Sequence, residues 1–222
     1  VPQTTVANVD EDSSVSVALV ATDDYTAAAN LQFHITESPP AAECALLVSG
    51  AVVSVSVAGG DAPALVTGAV TLTPAADFNG ATTFSYRVTD EEGLTADQVV
   101  AVSVAPQNDA PAAVVTSTTG DEDQPDIPVT LDGTDIDGDS LSAIVESLPA
   151  EGVLSATVGG ASVAIGQNVG TTPVTLFYTP PADANTATNP PLDADFSFSV
   201  SDGIAASGTI VVPVTVNPVN DA

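Results

Sequence analysis

The sequence predicts an all-β protein composed of two tandem β-sandwich domains. Apolar and polar residues alternate with a period of two in residues 14–19, 53–57 and 196–200, which is typical of strands with one buried face. The chain also contains 16 glycines and 17 prolines, which separate the strands at short intervals. No segment has the pattern of a helix of ordinary length, so short strands joined by turns indicate a sandwich.

Two runs rich in β-branched residues, 99–104 and 210–216, predict further strands. Val, Ile and Thr suit a pleated, half-buried surface better than a helix, because their branched side chains restrict χ1. Both runs therefore favour the same all-β architecture.

Four motifs recur at nearly one spacing, which predicts two homologous domains. The offset is 111 residues for the first pair of motifs and 112 residues for the other three. We therefore expect domain 1 to span residues 1–107 and domain 2 to span residues 108–222. The recurring motifs are Asp10-Glu11-Asp12 with Asp121-Glu122-Asp123, Thr22-Asp23 with Thr134-Asp135, Val88-Thr89-Asp90 with Val200-Ser201-Asp202, and Asn108-Asp109-Ala110 with Asn220-Asp221-Ala222.

The charge and the cysteine content exclude several classes of protein. The chain has 29 acidic residues, one arginine (Arg87) and no lysine, which gives a formal net charge of −28. A nucleic-acid partner is excluded, because neutralising phosphates requires many cationic side chains. The single Cys44 excludes a disulfide framework and a zinc cluster built on thiolates. No apolar run approaches the roughly 20 residues of a membrane helix, so we expect a soluble chain that does not insert into a membrane.

A short linker, residues 106–111, is flanked by prolines and joins the two repeats closely. Val1-Pro2 stands in repeat 1 where Ala110-Pro111 stands in repeat 2, and the chain stops at Asn220-Asp221-Ala222. We therefore expect a fragment cut at repeat boundaries from a longer array, with any export signal outside it.

Three segments resemble parts of a cadherin repeat. Residues 21–35 resemble an acidic loop that runs into a strand, residues 84–90 resemble the penultimate strand with its acidic loop, and residues 108–111 resemble the interdomain linker. The order of Asp-Glu-Asp, Asp-x-Asp-Gly-Asp, Tyr-Thr-Pro, Asp-Phe-Asn-Gly and Asn-Asp-Ala-Pro is similar to that in cadherin-like tandem repeats of large bacterial surface proteins and RTX-type adhesins. The resemblance implies two Ig-like, cadherin-like Greek-key β-sandwiches, each with seven strands, in an extracellular protein of the bacterial surface.

The resemblance also implies calcium ions where one domain meets the next. The implied ligands at the internal junction are Glu11 with Asp10 or Asp12 from domain 1, Asn108 and Asp109 from the linker, and Asp135, Asp137 and Asp202 from domain 2, with Asp77 as a weaker candidate. Two further half-sites are implied at the ends of the chain, with Asp23, Asp24 and Asp90 at the start and Glu122, Asp123, Asn220 and Asp221 at the finish.

The residue types by themselves also favour calcium. Calcium takes roughly 6 to 8 hard oxygen ligands, which Asp, Glu and Asn supply. Acidic groups gathered by short loops repel one another unless a cation neutralises them, and one arginine is not sufficient for 29 carboxyl groups. Magnesium prefers small, largely hydrated sites, and zinc or copper would require His or thiolate ligands.

Other interpretations of the acidic residues stay open at this point. The sequence has Asp23-Asp24-Tyr25 instead of the cadherin Asp-x-Asp-x-Gly loop, and the linker lacks the second Asn of Asn-Asp-Asn-Ala-Pro, which leaves the number of ions per junction open. Residues 135–139 with Glu146 partly match an EF-hand loop, but the glycine stands at the fourth position instead of the sixth. Solvated acidic turns without an ion are the structural alternative.

We interpret the chain as a calcium-rigidified extender of a bacterial adhesin, with neighbouring repeats of the same chain as its main partners. A surface glycan or a second copy could serve as an adhesion partner, and a calcium-dependent carbohydrate-binding module is the alternative function, with Tyr25 as its candidate platform. We expect no enzyme, because the acidic pairs recur in both repeats and His34 alternates onto the outward face of its strand.

Overall fold

The computed structural model describes residues 2, 6–23, 31–47, 56–57, 64–114, 117–187 and 191–220. Strands and turns account for the regular structure in these ranges, and none of the described residues is helical, so the prediction of an all-β protein is confirmed. None of the described segments could therefore cross a membrane as a helix. The chain divides into two compact units, Val1–Gln107 and Asn108–Ala222, here called unit 1 and unit 2.

Unit 1 contains two sheets. One has the strand order β1-β8-β7-β3, and the other has the order β2-β6-β4, with the short β5 also paired to β6. The chain crosses between the sheets from β1 to β2, from β2 to β3, from β3 to β4 and from β6 to β7, and β1 runs parallel to β8. The strands are β1 (Val6–Asp10), β2 (Val15–Asp23), β3 (Gln32–Glu37), β4 (Cys44–Leu47), β5 (Ser56–Val57), β6 (Ala64–Pro74), β7 (Gly80–Thr89) and β8 (Thr95–Ala105).

The core of unit 1 follows from the alternation in the sequence. In β7, Phe84, Tyr86 and Val88 point inward and are buried, whereas Arg87 points outward and forms an ion pair with Asp97 on β8. Each large apolar side chain that is fully buried contributes roughly 1.5–3 kcal/mol relative to an exposed one.

Of the predicted strand at residues 53–57, only residues 56–57 lie within the described part of the chain.

Unit 2 repeats this plan. Its sheets have the strand orders β13-β15-β11-β9 and β14-β12-β16-β17, and β10 pairs in parallel with β18. The strands are β9 (Ala112–Val114), β10 (Thr118–Asp121), β11 (Ile127–Thr134), β12 (Ser142–Ser147), β13 (Val153–Ser155), β14 (Asn168–Thr171), β15 (Val174–Thr179), β16 (Phe196–Ser201), β17 (Ile210–Val212) and β18 (Val214–Asn217).

The run 210–216 forms two strands instead of one. Pro213 separates β17, which pairs with β16, from β18, which pairs with β10. Proline has no N–H for a ladder hydrogen bond, so the chain leaves one sheet at this residue. The N–H of Val214 donates to Oδ1 of Asp195 (3.0 Å), beside the start of the new pairing.

Strand β16 is buried on both faces, so the prediction of one buried face is wrong for this strand. Ser197 and Ser199 are 8 % and 3 % exposed. The Ser197 hydroxyl lies 2.7 Å from that of Ser147, and the Ser199 hydroxyl donates to Oε1 of Glu146 at 2.6 Å. Side chains of the neighbouring β12 therefore cover and satisfy the serines that the alternation places outside.

One fully buried tyrosine in each unit ties its core to a backbone carbonyl. The hydroxyl of Tyr86 donates to the carbonyl of Val20 (3.1 Å), and that of Tyr178 donates to the carbonyl of Glu151 (3.0 Å). Burial, followed by the charges of Glu151 and Asp193, raises the pKa of Tyr178 to about 12. The neutral hydroxyl that donates this hydrogen bond is thus maintained far into the alkaline range.

We predict that Gly152→Ala destabilises unit 2 more than Gly166→Ala. Both glycines have positive φ (84° and 79°), so each substitution costs roughly 1–2 kcal/mol of backbone strain. A Cβ at residue 152 would lie 2.5 Å from the Tyr178 hydroxyl oxygen, whereas a Cβ at residue 166 would meet nothing within 4 Å. Displacing Tyr178 should cost about 1–3 kcal/mol more. Thermal unfolding of the full chain measures both variants, and equal losses would contradict the packing role of Tyr178.

Candidate metal centre

The loop between β11 and β12 is shaped by one aspartate. Oδ1 of Asp135 accepts hydrogen bonds from the N–H groups of Asp137 (2.9 Å) and Asp139 (3.2 Å), which closes a tight turn. Gly138 lies in this turn at φ 80°, where a residue with a Cβ would be strained. The other oxygen of Asp135, Oδ2, has no exposed area and no hydrogen-bond partner among the described residues.

This turn places three carboxylates together. Asp135, Asp137 and Asp139 each offer one oxygen, and these oxygens lie within 4.8 Å of one another. Two like charges about 4 Å apart near a protein surface repel by about 4 kcal/mol, so the loop carries a considerable electrostatic cost without a cation. Asp135 and Asp137 are predicted ligands of the junction, whereas Asp139 was considered only as part of the EF-hand alternative, although its position in the Asp-x-Asp-Gly-Asp motif was a usable signal.

The linker residues that belong to unit 2 join this acidic loop. The N–H of Asp109 donates to Oδ2 of Asp137 (2.8 Å), and the side-chain amide of Asn108 donates to Oδ2 of Asp202 (2.9 Å). The predicted ligands Asn108, Asp109, Asp135, Asp137 and Asp202 therefore form linked contacts at one end of unit 2. All five offer oxygen atoms, which are the donors that calcium prefers.

Asp202 is held in its ionised form by hydrogen bonds. Its Oδ1 accepts the N–H groups of Ile204 and Ala205, both at 2.6 Å. The amide of Asn108, followed by Ala205 and Ile204, lowers the pKa of Asp202 below its usual value. Hydrogen bonds to a carboxylate favour its charged form, so Asp202 is a carboxylate at neutral pH.

In unit 1, the buried Glu11 forms a group of hydrogen bonds that is here called the anchor of unit 1. It is 1 % exposed, and its Oε1 accepts the N–H of Gln107 at 2.5 Å. Its Oε2 lies 3.5 Å from the amide nitrogen of Asn79, and its own N–H donates to the carbonyl of Ala105 (3.0 Å). Glu11 thus ties the turn after the first strand to the chain that leaves the last strand. Three of its predicted fellow ligands are exposed in unit 1: Asp10, Asp12 and Asp77.

Glu122 forms the corresponding group of hydrogen bonds in unit 2, here called the anchor of unit 2. It is 6 % exposed and accepts the N–H of Val219 and the amide of Asn185, both at 2.7 Å. Its own N–H donates to the carbonyl of Asn217 (3.0 Å). The amide of Asn185, followed by the N–H of Val219, lowers the pKa of Glu122, whereas burial acts in the opposite direction.

Sequence reasoning missed Asn185, the amide partner of Glu122. It stands 106 residues after Asn79, and the Thr-Pro motif at residues 73–74 recurs at the same offset at residues 179–180. That local offset was the signal that could have identified it. The amide partners belong to the repeat pattern as much as the acidic residues do.

The predicted half-sites are only partly described. At the start, Oδ1 of Asp90 accepts the N–H of Leu94 (2.7 Å) and so closes the β7–β8 turn. The side chain of Asp23 and all of Asp24 lie outside the described residues. At the finish, Asp123 and Asn220 are exposed, and Asp221 lies outside the described residues.

The aromatic rings and the histidine are placed as follows. Tyr86, Tyr178, Phe33, Phe84, Phe196 and Phe198 are all buried. Tyr25, the predicted sugar platform, lies outside the described residues. His34 is half-buried on β3, opposite Arg87 in the ladder.

A family model for the bacterial Ig domain matches residues 1–103 and again residues 108–215. The chain belongs to the bacterial Ig domain family. It therefore consists of two tandem bacterial Ig domains, in agreement with the predicted Ig-like sandwiches. No curated protein sequence matches the chain.

Solved structures similar to the two bacterial Ig domains include extracellular cadherin domains. Domains 1–4 of protocadherin gamma B7 match with a TM-score of 0.53 and 13 % identity over 99 % of this chain and 51 % of that chain. Domains 1–5 of protocadherin gamma B2 match with a TM-score of 0.53 and 15 % identity over 99 % of this chain and 40 % of that chain. This chain therefore spans about half the length of the gamma B7 structure and 40 % of the gamma B2 structure. The likeness confirms the cadherin-like fold. Human mucin-like protocadherin EC1-2 matches with a TM-score of 0.47, 14 % identity, and coverage of 99 % of this chain and 98 % of that chain.

We predict that Glu122→Gln lowers the stability of unit 2 at neutral pH and flattens its decline in acid. Because the folded-state pKa of Glu122 is lowered, its contribution is complete above the ordinary glutamate pKa of about 4.3. The contribution is lost as the pH falls through the lower folded-state pKa. Thermal unfolding across the acidic range measures this change. Asp123→Asn, at the exposed neighbouring residue, is the matched control, and identical pH profiles for the two variants would refute the anchoring role.

Proposed function

We propose that the two bacterial Ig domains form a calcium-rigidified extender in an extracellular adhesin of the bacterial surface. The observation that carries the proposal is the group of oxygen ligands at one end of unit 2, in which Asp135, Asp137 and Asp139 lie close together without a cationic side chain in the cluster. The single arginine of the chain is engaged by Asp97, with contacts of 2.6 and 2.9 Å.

The donor set fits calcium in its chemistry. Carboxylate and amide oxygens make up the group, and Oδ2 of Asp135 is buried without a hydrogen bond among the described residues. A buried carboxylate oxygen without a partner is costly, and coordination to a cation would offset that cost. Asn108, Asp109, Asp135, Asp137 and Asp202 are the proposed ligands from unit 2, with Asp139 added from the geometry.

We further propose that Glu11, with Asp10 or Asp12, supplies the ligands from domain 1, with Asp77 as a weaker candidate. The support is that two consecutive residues make hydrogen bonds to opposite units. The N–H of Gln107 donates to Glu11 in unit 1, and the side-chain amide of the next residue, Asn108, donates to Asp202 in unit 2. A cation bound by residues on both sides of this peptide bond would restrict rotation at the linker. The half-sites at the two ends of the chain would act in the same way with neighbouring repeats. Their proposed ligands are Asp23, Asp24 and Asp90 at the start and Glu122, Asp123, Asn220 and Asp221 at the finish.

The expected energies are sufficient for a mechanical role. Extracellular calcium modules bind with dissociation constants of roughly 10⁻⁴ to 10⁻³ M. At about 100 times its dissociation constant, one ion stabilises the bound state by about 2.7 kcal/mol. Domains joined by a short linker move relative to one another unless something fixes them, so calcium would convert a jointed chain into a stiffer one.

We predict that Asp137→Asn weakens calcium binding at least tenfold, since it removes a charged ligand from the cluster and a tenfold change corresponds to about 1.4 kcal/mol. Isothermal titration calorimetry of the full chain measures the affinity. Glu37→Gln, an exposed substitution outside the proposed ligand set, should leave the affinity unchanged. An unchanged calcium affinity in Asp137→Asn would show that the acidic cluster of unit 2 is not the calcium site.

Small-angle X-ray scattering tests the rigid extender directly. We expect the scattering profile to change between calcium and chelator in the native chain, and expect Asp109→Ala to reduce that change while both domains stay folded. Circular dichroism checks the folding of the variant. Identical profiles with calcium and with chelator would overturn the proposal, and saturable glycan binding without a change of shape would support a carbohydrate-binding module instead.

A further inference from the structure

Asn79 differs from the other asparagines of the chain. The sequence contains nine asparagines, and Asn79 alone is followed by glycine. It is exposed and lies immediately before Gly80, the first residue of β7. Gly80 pairs with Val104 in the terminal pair of the β7–β8 ladder, so the Asn79–Gly80 peptide unit stands at the end of the strand.

The space that a side chain of residue 80 would occupy is open. A Cβ built on Gly80 would meet a single heavy atom at 4.0 Å, the Cζ of Phe78. The residue has a φ of 129°, a conformation available mainly to glycine. Gly80 therefore has no side chain of its own to hinder the attack of its nitrogen on the side chain of Asn79.

We propose that Asn79 is a site of spontaneous deamidation in the folded protein. The deprotonated amide nitrogen of Gly80 attacks Cγ of Asn79, the Cγ–Nδ2 bond breaks, and ammonia leaves after taking up a proton from water. The five-membered succinimide that results then adds water. Opening at the side-chain carbonyl gives aspartate, and opening at the main-chain carbonyl gives isoaspartate, so each event consumes one water and releases one ammonia.

The equivalent residue in the second unit is protected, which provides an internal control. Asn185 is 6 % exposed and is followed by Thr186, whose branched side chain hinders attack by the backbone nitrogen. Its amide nitrogen donates to Glu122 at 2.7 Å, and its Oδ1 accepts the N–H of Ala187 at 3.0 Å. Among the described residues, the hydrogen bond of the Asn79 side chain is to Glu11 at 3.5 Å, the limit of a useful bond.

The product would change the charge beside Glu11. The amide of Asn79 is a donor to the buried Glu11 carboxylate, whereas aspartate or isoaspartate would present a second negative charge there. Like charges at short distance repel, and isoaspartate also inserts a methylene into the backbone before β7. Deamidation therefore loosens the anchor of unit 1 and leaves that of unit 2 intact.

Peptide mapping of the full chain tests the chemistry. The native protein is incubated with chelator at a series of mildly alkaline pH values, digested with chymotrypsin, and analysed by chromatography and mass spectrometry that separate aspartate from isoaspartate. We expect progressive loss of the Asn79 amide, at a rate proportional to hydroxide concentration, with both products present and Asn185 unchanged. Asn79→Gln should abolish the modification at this position.

Two results would overturn the proposal. Conversion of Asn79 only in denaturant would show that the folded turn protects it, and equal rates at Asn79 and Asn185 would show that local structure makes no difference. Asn79→Asp and Asn79→Ala test the consequence separately, since only the former adds charge. We expect a lower thermal midpoint of unit 1 for Asn79→Asp than for Asn79→Ala without divalent cations, and equal midpoints would refute the loosening of the anchor.

Discussion

Carboxylates without cationic partners are the constraint on which the rest of this structure depends. With one arginine and no lysine, the chain stabilises its acidic groups mainly through backbone N–H groups and asparagine amides. Glu11, Glu122, Asp135 and Asp202 all accept such hydrogen bonds. Hydrogen bonds to a charged acceptor are stronger than neutral ones, so these carboxylates stabilise the turns that they contact.

The two buried glutamates show how this constraint is used. Glu11 and Glu122 each connect the turn after an early strand with the segment that follows the last strand of the same unit. An apolar residue could fill the space, but it could not satisfy the N–H groups of Gln107 and Val219. These hydrogen bonds to a charged acceptor give the acidic residue a structural role independent of any ion.

The fold was largely predictable because alternation and turn residues are local signals. Strand β7 alternates in sequence and in burial, and the repeat offsets located equivalent motifs in both units. The departures arise from contacts between distant residues. Ser197 and Ser199 are buried by side chains on β12, and Pro213 divides a strand because the two halves find different neighbours.

The candidate site was predictable in its residue types and less so in its geometry. Hydrogen bonds link Asn108 to Asp202, Asp109 to Asp137, and Asp137 to Asp135. Asp139 and Asn185 were missed, because their roles depend on the path of a turn and on a local change of repeat offset. Hydrogen-bond partners of this kind are set by three-dimensional placement, which a linear motif expresses only in part.

The parallel pairing of the first and last strands of unit 1 has a mechanical consequence. Because β1 runs in the same direction as β8, unit 1 receives the chain at one end of this strand pair and releases it at the other. A pulling force on the two termini of unit 1 therefore acts along the paired strands, so that their hydrogen bonds bear the load together in shear instead of separating one at a time. In unit 2 the corresponding parallel pair is β10 with β18, and β9, which precedes β10, pairs with β11 in a different sheet.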